Sequence, residues 1–196
     1  MELYIARHGQ TEYNAARRLQ GSGRDAPLTQ QGIAQAKALG EVLADLSFDA
    51  VYVSPLKRAA DTAAIALGDR YEPIFDERLV EIGFGVLEGM TYEAAAEAYP
   101  QSALEIMLSD PASYVAPPKG EALPDMLKRI GAFMDDVAQT EHQKVFVLAH
   151  GYVLKVFYAC TVDKSIAAVG NAPRYGNCEA ARYRYEQGKW MYLGGL

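Results

Sequence analysis

The 196-residue chain has little cysteine, little basic charge and no long apolar run, and each shortage argues against a class of function. Its two cysteines, Cys160 and Cys178, form neither a disulfide framework nor a CxxC metal pair, which favours reduced thiols in a cytoplasmic protein. The formal charge of −6 predicts no nucleic-acid partner and no anionic membrane partner, although a local cationic pocket can still bind a small anion. No segment approaches the roughly 18 apolar residues that indicate a membrane span, and "MELYIARHG" lacks the pattern of a secretory signal.

Half of the residues are hydrophobic, so the chain can build a sizeable core. Its length predicts a single domain over residues 1–196, as a monomer or a homodimer. Short apolar runs alternate with helical patterns, which predicts an α/β fold with three layers and a mostly parallel central sheet. The predicted strands are residues 3–6, 50–54, 73–76 and 144–149, with an antiparallel pair around 187–188. The predicted helices are 29–46, 55–67, 124–137 and 151–159, and residues 91–118 are expected to form a small helical cap.

Reactive side chains follow the predicted strands. Arg7 and His8 follow the first, Arg58 lies one turn into the helix after the second, Glu81 follows the weaker third, and His150 follows the fourth. Because ligands of open α/β sheets bind beyond the carboxyl ends of the strands, these five side chains are expected to converge.

Such a set suits phosphoryl transfer without a metal. Two arginines grip a phosphoryl group through charge-assisted hydrogen bonds. Their charge keeps a histidine neutral and therefore nucleophilic, and a buried carboxyl group can protonate the leaving oxygen. A metal site built from His8, Glu81 and His150 is the alternative, but the two arginines would repel a divalent cation. The chain has no GxSxG, which argues against a serine hydrolase.

The segments that carry these residues resemble the histidine phosphatase superfamily, in its phosphoglycerate-mutase-like branch. "RHGQTEYN" is similar to the signature RHGxTxxN. "VYVSPLKRAADTA", "ERLVEIGFGVLEG", "PPKGEALPDMLKRI" and "VLAHGYVLK" follow in the family's order, so the resemblance covers residues 2–158. "GNCEAARYRYEQGKW" fits the closing strands. The implied fold is phosphoglycerate-mutase-like.

The resemblance implies a role for each residue. His8 is phosphorylated during turnover, and Glu81 acts as acid and then as base. Arg7, Arg58 and His150 hold the phosphoryl group. The implied substrate-binding residues are Thr11, Asn14, Gln20, Gly21 and Gly151, and no metal or cofactor is implied. The chain departs from the family's frequent residues at several positions, among them Tyr152 in place of glycine and Lys155 in place of arginine.

The resemblance leaves three functions open. A phosphatase acting on a small phosphorylated metabolite is preferred. A cofactor-dependent phosphoglycerate mutase is the alternative, disfavoured because residues 91–118 contain no lysine or arginine. A non-catalytic phospho-ligand-binding or regulatory protein is the third, disfavoured because all five chemical residues are present. Arg17, Arg18, Arg24 and Arg174 are candidates for the mouth of the pocket, where they would favour further anionic groups.

Overall fold

The computed structural model describes residues 1–196 and contains one six-stranded sheet in the order β3-β2-β4-β1-β5-β6. The strands are β1 (Glu2–Arg7), β2 (Ala50–Val53), β3 (Ile74–Phe75), β4 (Lys144–Ala149), β5 (Ala180–Glu186) and β6 (Lys189–Gly195). The first four are parallel to one another, and β5 and β6 add the antiparallel pair. The predicted mostly parallel sheet and the predicted closing hairpin are both confirmed.

Alternating side chains of the strands form two hydrophobic cores, one on each face of the sheet. Leu3 and Ile5 of β1 belong to one cluster, whereas Tyr4 and Ala6 belong to the other, as the two-residue period of a strand requires. The helices are α1 (Glu12–Ala15), α2 (Gln30–Val42), α3 (Lys57–Leu67), α4 (Tyr92–Ala98), α5 (Leu104–Ser109), α6 (Leu123–Ala138), α7 (Gly151–Val162) and α8 (Ile166–Asn171). Helices α2 and α3 cover one face and α6 and α7 the other, which confirms the three-layer α/β/α prediction.

Helix boundaries differ from the predictions where the chain must turn. Helix α2 begins after Thr29, whose side chain accepts a hydrogen bond from the Gly32 amide, as predicted. It ends at Val42 instead of continuing to residue 46, because the backbone leaves helical geometry at Leu43, whose side chain is fully buried. Helix α7 continues beyond the predicted residue 159 to Val162. The short helices α1 and α8 were not predicted.

Residues 91–118 form the predicted helical cap. Helices α4 and α5 alternate there with two single 3₁₀ turns, Pro100–Ser102 and Pro111–Ser113. No helix of the chain is long and apolar enough to cross a membrane.

Candidate active site

Three neighbouring strands end at the same edge of the sheet and deliver polar side chains there. In the register of the sheet, Arg7 at the end of β1 pairs with Ala149 at the end of β4, and Leu148 pairs with Val53 at the end of β2. The next residues along the chain are therefore His8, His150 and Ser54. The imidazole rings of the two histidines lie with their centroids 5.2 Å apart.

The tautomer of His8 is set by its own backbone neighbour. His8 is only 3% exposed, and its Nδ1 lies 2.7 Å from the carbonyl oxygen of Gly9. A carbonyl can only accept, so Nδ1 carries the proton and Nε2 carries the lone pair. Burial, assisted by the charges of Arg58 and Arg7, holds the pKa of His8 well below its ordinary value. The ring is thus neutral, with its lone pair on Nε2.

His150 is fully buried at the start of α7. Its Nε2 lies 2.6 Å from the Ser54 hydroxyl, and its Nδ1 makes no hydrogen bond within the protein. Burial and the charge of Arg58 hold its pKa well below the ordinary value in the absence of an anion. A bound phosphoryl group would favour its protonated form.

Two arginines, the buried Arg58 and the partly buried Arg7, flank the histidines and keep donors free. Arg58, in the first turn of α3, is 1% exposed and donates to Asp25 Oδ1 at 3.0 Å and to the carbonyl of Gly21 at 2.7 Å. Arg7 donates to the carbonyl of Tyr175 at 3.0 Å. The Nε atoms of both arginines are buried and make no hydrogen bond within the protein. Each guanidinium is therefore fixed by some of its donors while Nε remains unpaired.

The loop after β1 requires glycine because backbones approach closely there. A Cβ added to Gly9 would lie 2.6 Å from the carbonyl oxygen of Gly32, and one added to Gly32 would lie 2.1 Å from that of Gln10. The contact brings the His8 loop against the start of α2. The Gly9 amide also donates to Thr62 on α3 at 3.0 Å, so the loop is held from two sides.

Glu81 lies in the same cavity as His8. Its Oε1 accepts from its neighbour, the Ile82 amide, at 3.0 Å, and its Oε2 accepts from the Tyr152 amide at 3.2 Å. Burial nonetheless raises the pKa of Glu81 above its ordinary value, and so favours the protonated, proton-donating form. This is the environment that a general acid needs.

A partly buried ion pair holds the segment that carries Glu81. Arg129 on α6 pairs with Glu121 through two hydrogen bonds, of 2.6 and 2.8 Å. Its remaining terminal nitrogen donates to the carbonyls of Arg78 and Val80. The Glu121 amide donates to the carbonyl of Gly83 at 2.8 Å, so the backbone is fixed on both sides of the carboxylate.

A cavity of about 250 Å³ opens above these groups. The cap covers it with apolar side chains, from Leu104, Met107 and Leu108, together with Tyr92. Tyr152 connects cap and body, because its hydroxyl donates to the carbonyl of Met107 at 2.9 Å. The site thus combines a cationic floor with an apolar cover.

The chain matches a known protein family over nearly its whole length. The model of the histidine phosphatase superfamily (branch 1) matches residues 3–194. The chain belongs to this superfamily. This family membership confirms the prediction of a phosphatase-type enzyme.

The names of similar proteins include both a mutase and a phosphatase. The chain is 32% identical to "Probable phosphoglycerate mutase GpmB" of Proteus mirabilis, over 99% of this chain and 89% of that protein. Among solved structures it is similar to Bacillus stearothermophilus YhfR, with a TM-score of 0.89, 30% identity and coverage of 98% and 95% of the two chains. It is also similar to the alpha-ribazole phosphatase of Shigella flexneri, with a TM-score of 0.87, 26% identity and coverage of 100% and 96%.

Four of the five residues predicted to bind substrate line the cavity of this histidine phosphatase: Asn14, Gln20, Gly21 and Gly151. Thr11 does not. It is fully buried, caps α1 and accepts from the Gln20 side chain at 2.7 Å, which leaves it a positioning role. Of the five predicted chemical residues, Arg7, His8, Arg58 and Glu81 line the cavity, whereas His150 lies beneath its surface beside His8.

The arginines predicted at the pocket mouth divide into two pairs. Arg18 and Arg174 line the cavity, whereas Arg17 pairs with Glu93 outside it and Arg24 is absent from its wall. No group of three or more histidine, cysteine or acidic side chains is placed to hold a metal ion, so His8, Glu81 and His150 are not arranged as a ligand set.

Several supporting residues were missed by sequence reasoning. Ser54 contacts His150, and Asp25 pairs with Arg58. Asn177 donates to the His8 carbonyl at 3.0 Å from a loop 169 residues away in sequence. Ser54 follows its strand directly, as the two histidines do, and that position could have indicated it. Asp25 and Asn177 lie in loops without a local signal.

Proposed function

We propose that the protein is a metal-independent phosphatase that hydrolyses small phosphate monoesters through a phosphohistidine on His8. In the first step, His8 Nε2 attacks phosphorus and forms a P–N bond. The P–O bond to the leaving group breaks, and protonated Glu81 transfers its proton to the departing oxygen. Arg7, Arg58 and His150 stabilise the charge on the equatorial oxygens.

In the second step, water attacks the phosphorus of the phosphohistidine. The Glu81 carboxylate accepts a proton from that water, the P–N bond breaks, and His8 recovers its lone pair. The net reaction converts monoester and water into alcohol and inorganic phosphate. The low pKa of His8 makes it a good leaving group as well as a neutral nucleophile.

One observation carries the proposal. Arg7 Nε, Arg58 Nε and His150 Nδ1 are all buried at the His8 edge of the sheet and make no hydrogen bond within the protein. Buried donors are costly to leave unpaired, at about 1–3 kcal/mol each and more for charged groups. A tetrahedral dianion in contact with His8 Nε2 offers acceptors to the two Nε–H groups and, once His150 is protonated, to its Nδ1–H.

The test is phosphate release from glycerol 3-phosphate and p-nitrophenyl phosphate in the presence of EDTA. We expect turnover with EDTA, loss of turnover in His8→Ala, and an acid-labile, base-stable phosphoprotein in rapidly quenched samples. His142, a partly exposed histidine in the loop before β4, provides the matched control, His142→Ala, which should keep full activity. Release that continues in His8→Ala would refute the mechanism, and a protein inactive on every monoester would favour the non-catalytic alternative.

Phosphoglycerate mutase activity is the second candidate. It is favoured by the name of the Proteus mirabilis relative and by the cations that elements outside the cap bring to the cavity. In the same assay, a mutase primed with 2,3-bisphosphoglycerate would convert 3-phosphoglycerate into 2-phosphoglycerate with little phosphate release. We propose hydrolysis as the main reaction because the cap that covers the cavity contributes no cation to retain the intermediate.

We further propose that residues 1–196 act as one catalytic domain in the cytoplasm, as a monomer or a homodimer. Cys160 and Cys178 are both free thiols, which suits a reducing compartment. Sedimentation of the purified protein distinguishes the two assemblies.

A further inference from the structure

The cavity holds more positive charge than a phosphoryl group requires. Its wall includes five cationic side chains and a single carboxylate, that of Glu81. Arg7 and Arg58 are assigned to the phosphoryl group in the proposed mechanism. Arg18, Lys155 and Arg174 remain, and none of them takes part in an ion pair.

Lys155 is the most informative of the three because it is almost fully buried. It lies one turn beyond Gly151 on α7 and is 5% exposed. Its Nζ donates to the carbonyls of Ala172 at 3.0 Å and Val169 at 3.5 Å, at the C-terminal end of α8. An ammonium group has three N–H donors, so one has no protein acceptor.

The segment that Lys155 contacts brings a second cation to the cavity, because Arg174, which also lines it, follows two residues after Ala172. Burial and the charge of Arg174 both lower the pKa of Lys155. Two like charges without a carboxylate partner are unfavourable in a partly buried site, and an anion bound between them removes that repulsion.

We propose that Lys155 and Arg174 form a second anion-binding subsite, which selects phosphate monoesters that carry a carboxylate group. The inference rests on the proposed phosphatase function. A cavity of about 250 Å³ has room for a phosphoryl group and a three- or four-atom acid. The substrate class is therefore small phosphorylated carboxylic acids, whose carbon chain lies against the apolar cap.

The test uses substrate pairs that differ in the carboxylate. We compare kcat/KM for 3-phosphoglycerate with glycerol 3-phosphate, and for phosphoserine with phosphoethanolamine. The carboxylate member should be favoured by at least about tenfold, the effect of one charge-assisted contact. In Lys155→Met and in the more exposed Arg174→Gln, this ratio should fall towards one. Lys164→Met is the matched control, because Lys164 pairs with Asp135 outside the cavity, and it should keep the native ratio.

The ratio of the kcat/KM values within a substrate pair distinguishes a carboxylate subsite from a lysine with only a structural role. A lysine that only holds the end of α8 would lower the activity on both members of a pair equally, and that result in both variants would overturn the proposal. A native ratio near one with rapid hydrolysis of glycerol 3-phosphate would overturn the subsite and leave the phosphatase function standing. Calorimetric binding of the same pairs to His8→Ala protein gives the comparison without turnover. Equal affinities there would also overturn the subsite, whether or not the native protein hydrolyses any monoester.

Discussion

Replacing Glu81 by glutamine should slow the reaction of substrates with a poor leaving group far more than that of substrates with a good one. The side chain keeps its size but can no longer donate or accept the catalytic proton. An alkoxide leaves only when it is protonated, whereas p-nitrophenolate is a weak base and leaves without help. We therefore expect kcat/KM for glycerol 3-phosphate to fall about 10²–10⁴-fold, and kcat/KM for p-nitrophenyl phosphate to fall less than about tenfold. The larger loss corresponds to about 3–5 kcal/mol of transition-state stabilisation.

The second step gives a further signature in the same variant. Because kcat/KM reports only the steps up to phosphoryl transfer, it is insensitive to the missing base. Hydrolysis of the phosphohistidine does need that base, so kcat for p-nitrophenyl phosphate should fall. A burst of p-nitrophenolate, one equivalent per enzyme, should precede the slow phase. Stopped-flow absorbance measures both phases.

Glu81→Gln should also lower the stability of the fold, and this loss must be distinguished from the loss of catalysis. Glu81 accepts from two backbone amides, at 3.0 and 3.2 Å, and glutamine offers one oxygen in place of two. One amide is left facing an NH₂ group, at a cost of about 1–3 kcal/mol in the free energy of unfolding. Thermal unfolding measures this loss, and Glu97→Gln on the exposed side of α4 is the matched control. Equal losses of kcat/KM on the two substrates would refute the assignment of Glu81 as the acid.

Three further predictions concern stability and positioning. His8 and His150 are neutral in the folded protein because their pKa values lie below the unfolded value near 6.5, so the unfolded chain binds more protons as the pH falls below that value. The free energy of unfolding should then drop by up to about 2.7 kcal/mol per pH unit. Denaturant titrations of His8→Ala should show about half that slope. Gly32→Ala places Cβ 2.1 Å from a backbone oxygen and should destabilise the fold by about 1–3 kcal/mol or more, whereas Gly131→Ala, with open space around it inside α6, should stabilise it by about 0.5–1 kcal/mol in the same melts. Arg129→Lys removes the fork that holds the segment before Glu81, the proposed acid, and should lower kcat/KM for glycerol 3-phosphate more than for p-nitrophenyl phosphate. Equal losses would indicate a purely structural role.

The sequence was sufficient where the signal is local. The strands at 3–6, 50–54 and 144–149 were located within one or two residues because each is a run of apolar, often β-branched side chains that the sheet buries on both faces. His8 and His150 could then be placed side by side, since both follow directly on strands that pair in parallel. Helix α8 and the 3₁₀ turns have no comparable run. With six residues in α8 and three in each turn, they are too short to show a helical period in the sequence.

Residues that act through contacts with segments distant in sequence are the hardest to assign from the sequence alone. The cap has no lysine or arginine, and the sequence indicated Arg18 and Arg174, both outside the cap, as candidates for the pocket mouth. Both line the cavity, together with Lys155, which the sequence comparison had marked only as a departure from the family's frequent arginine. Lys155 had a local signal after all: it lies four residues after Gly151 and three after Tyr152, so all three share one face of α7. Gly151 and Lys155 both line the cavity, so in the proposed binding mode Lys155 faces the part of the substrate beyond the phosphoryl group. In this chain that residue is a cation without an acidic partner, which is why the carboxylate comparison tests specificity more directly than any change in the cap.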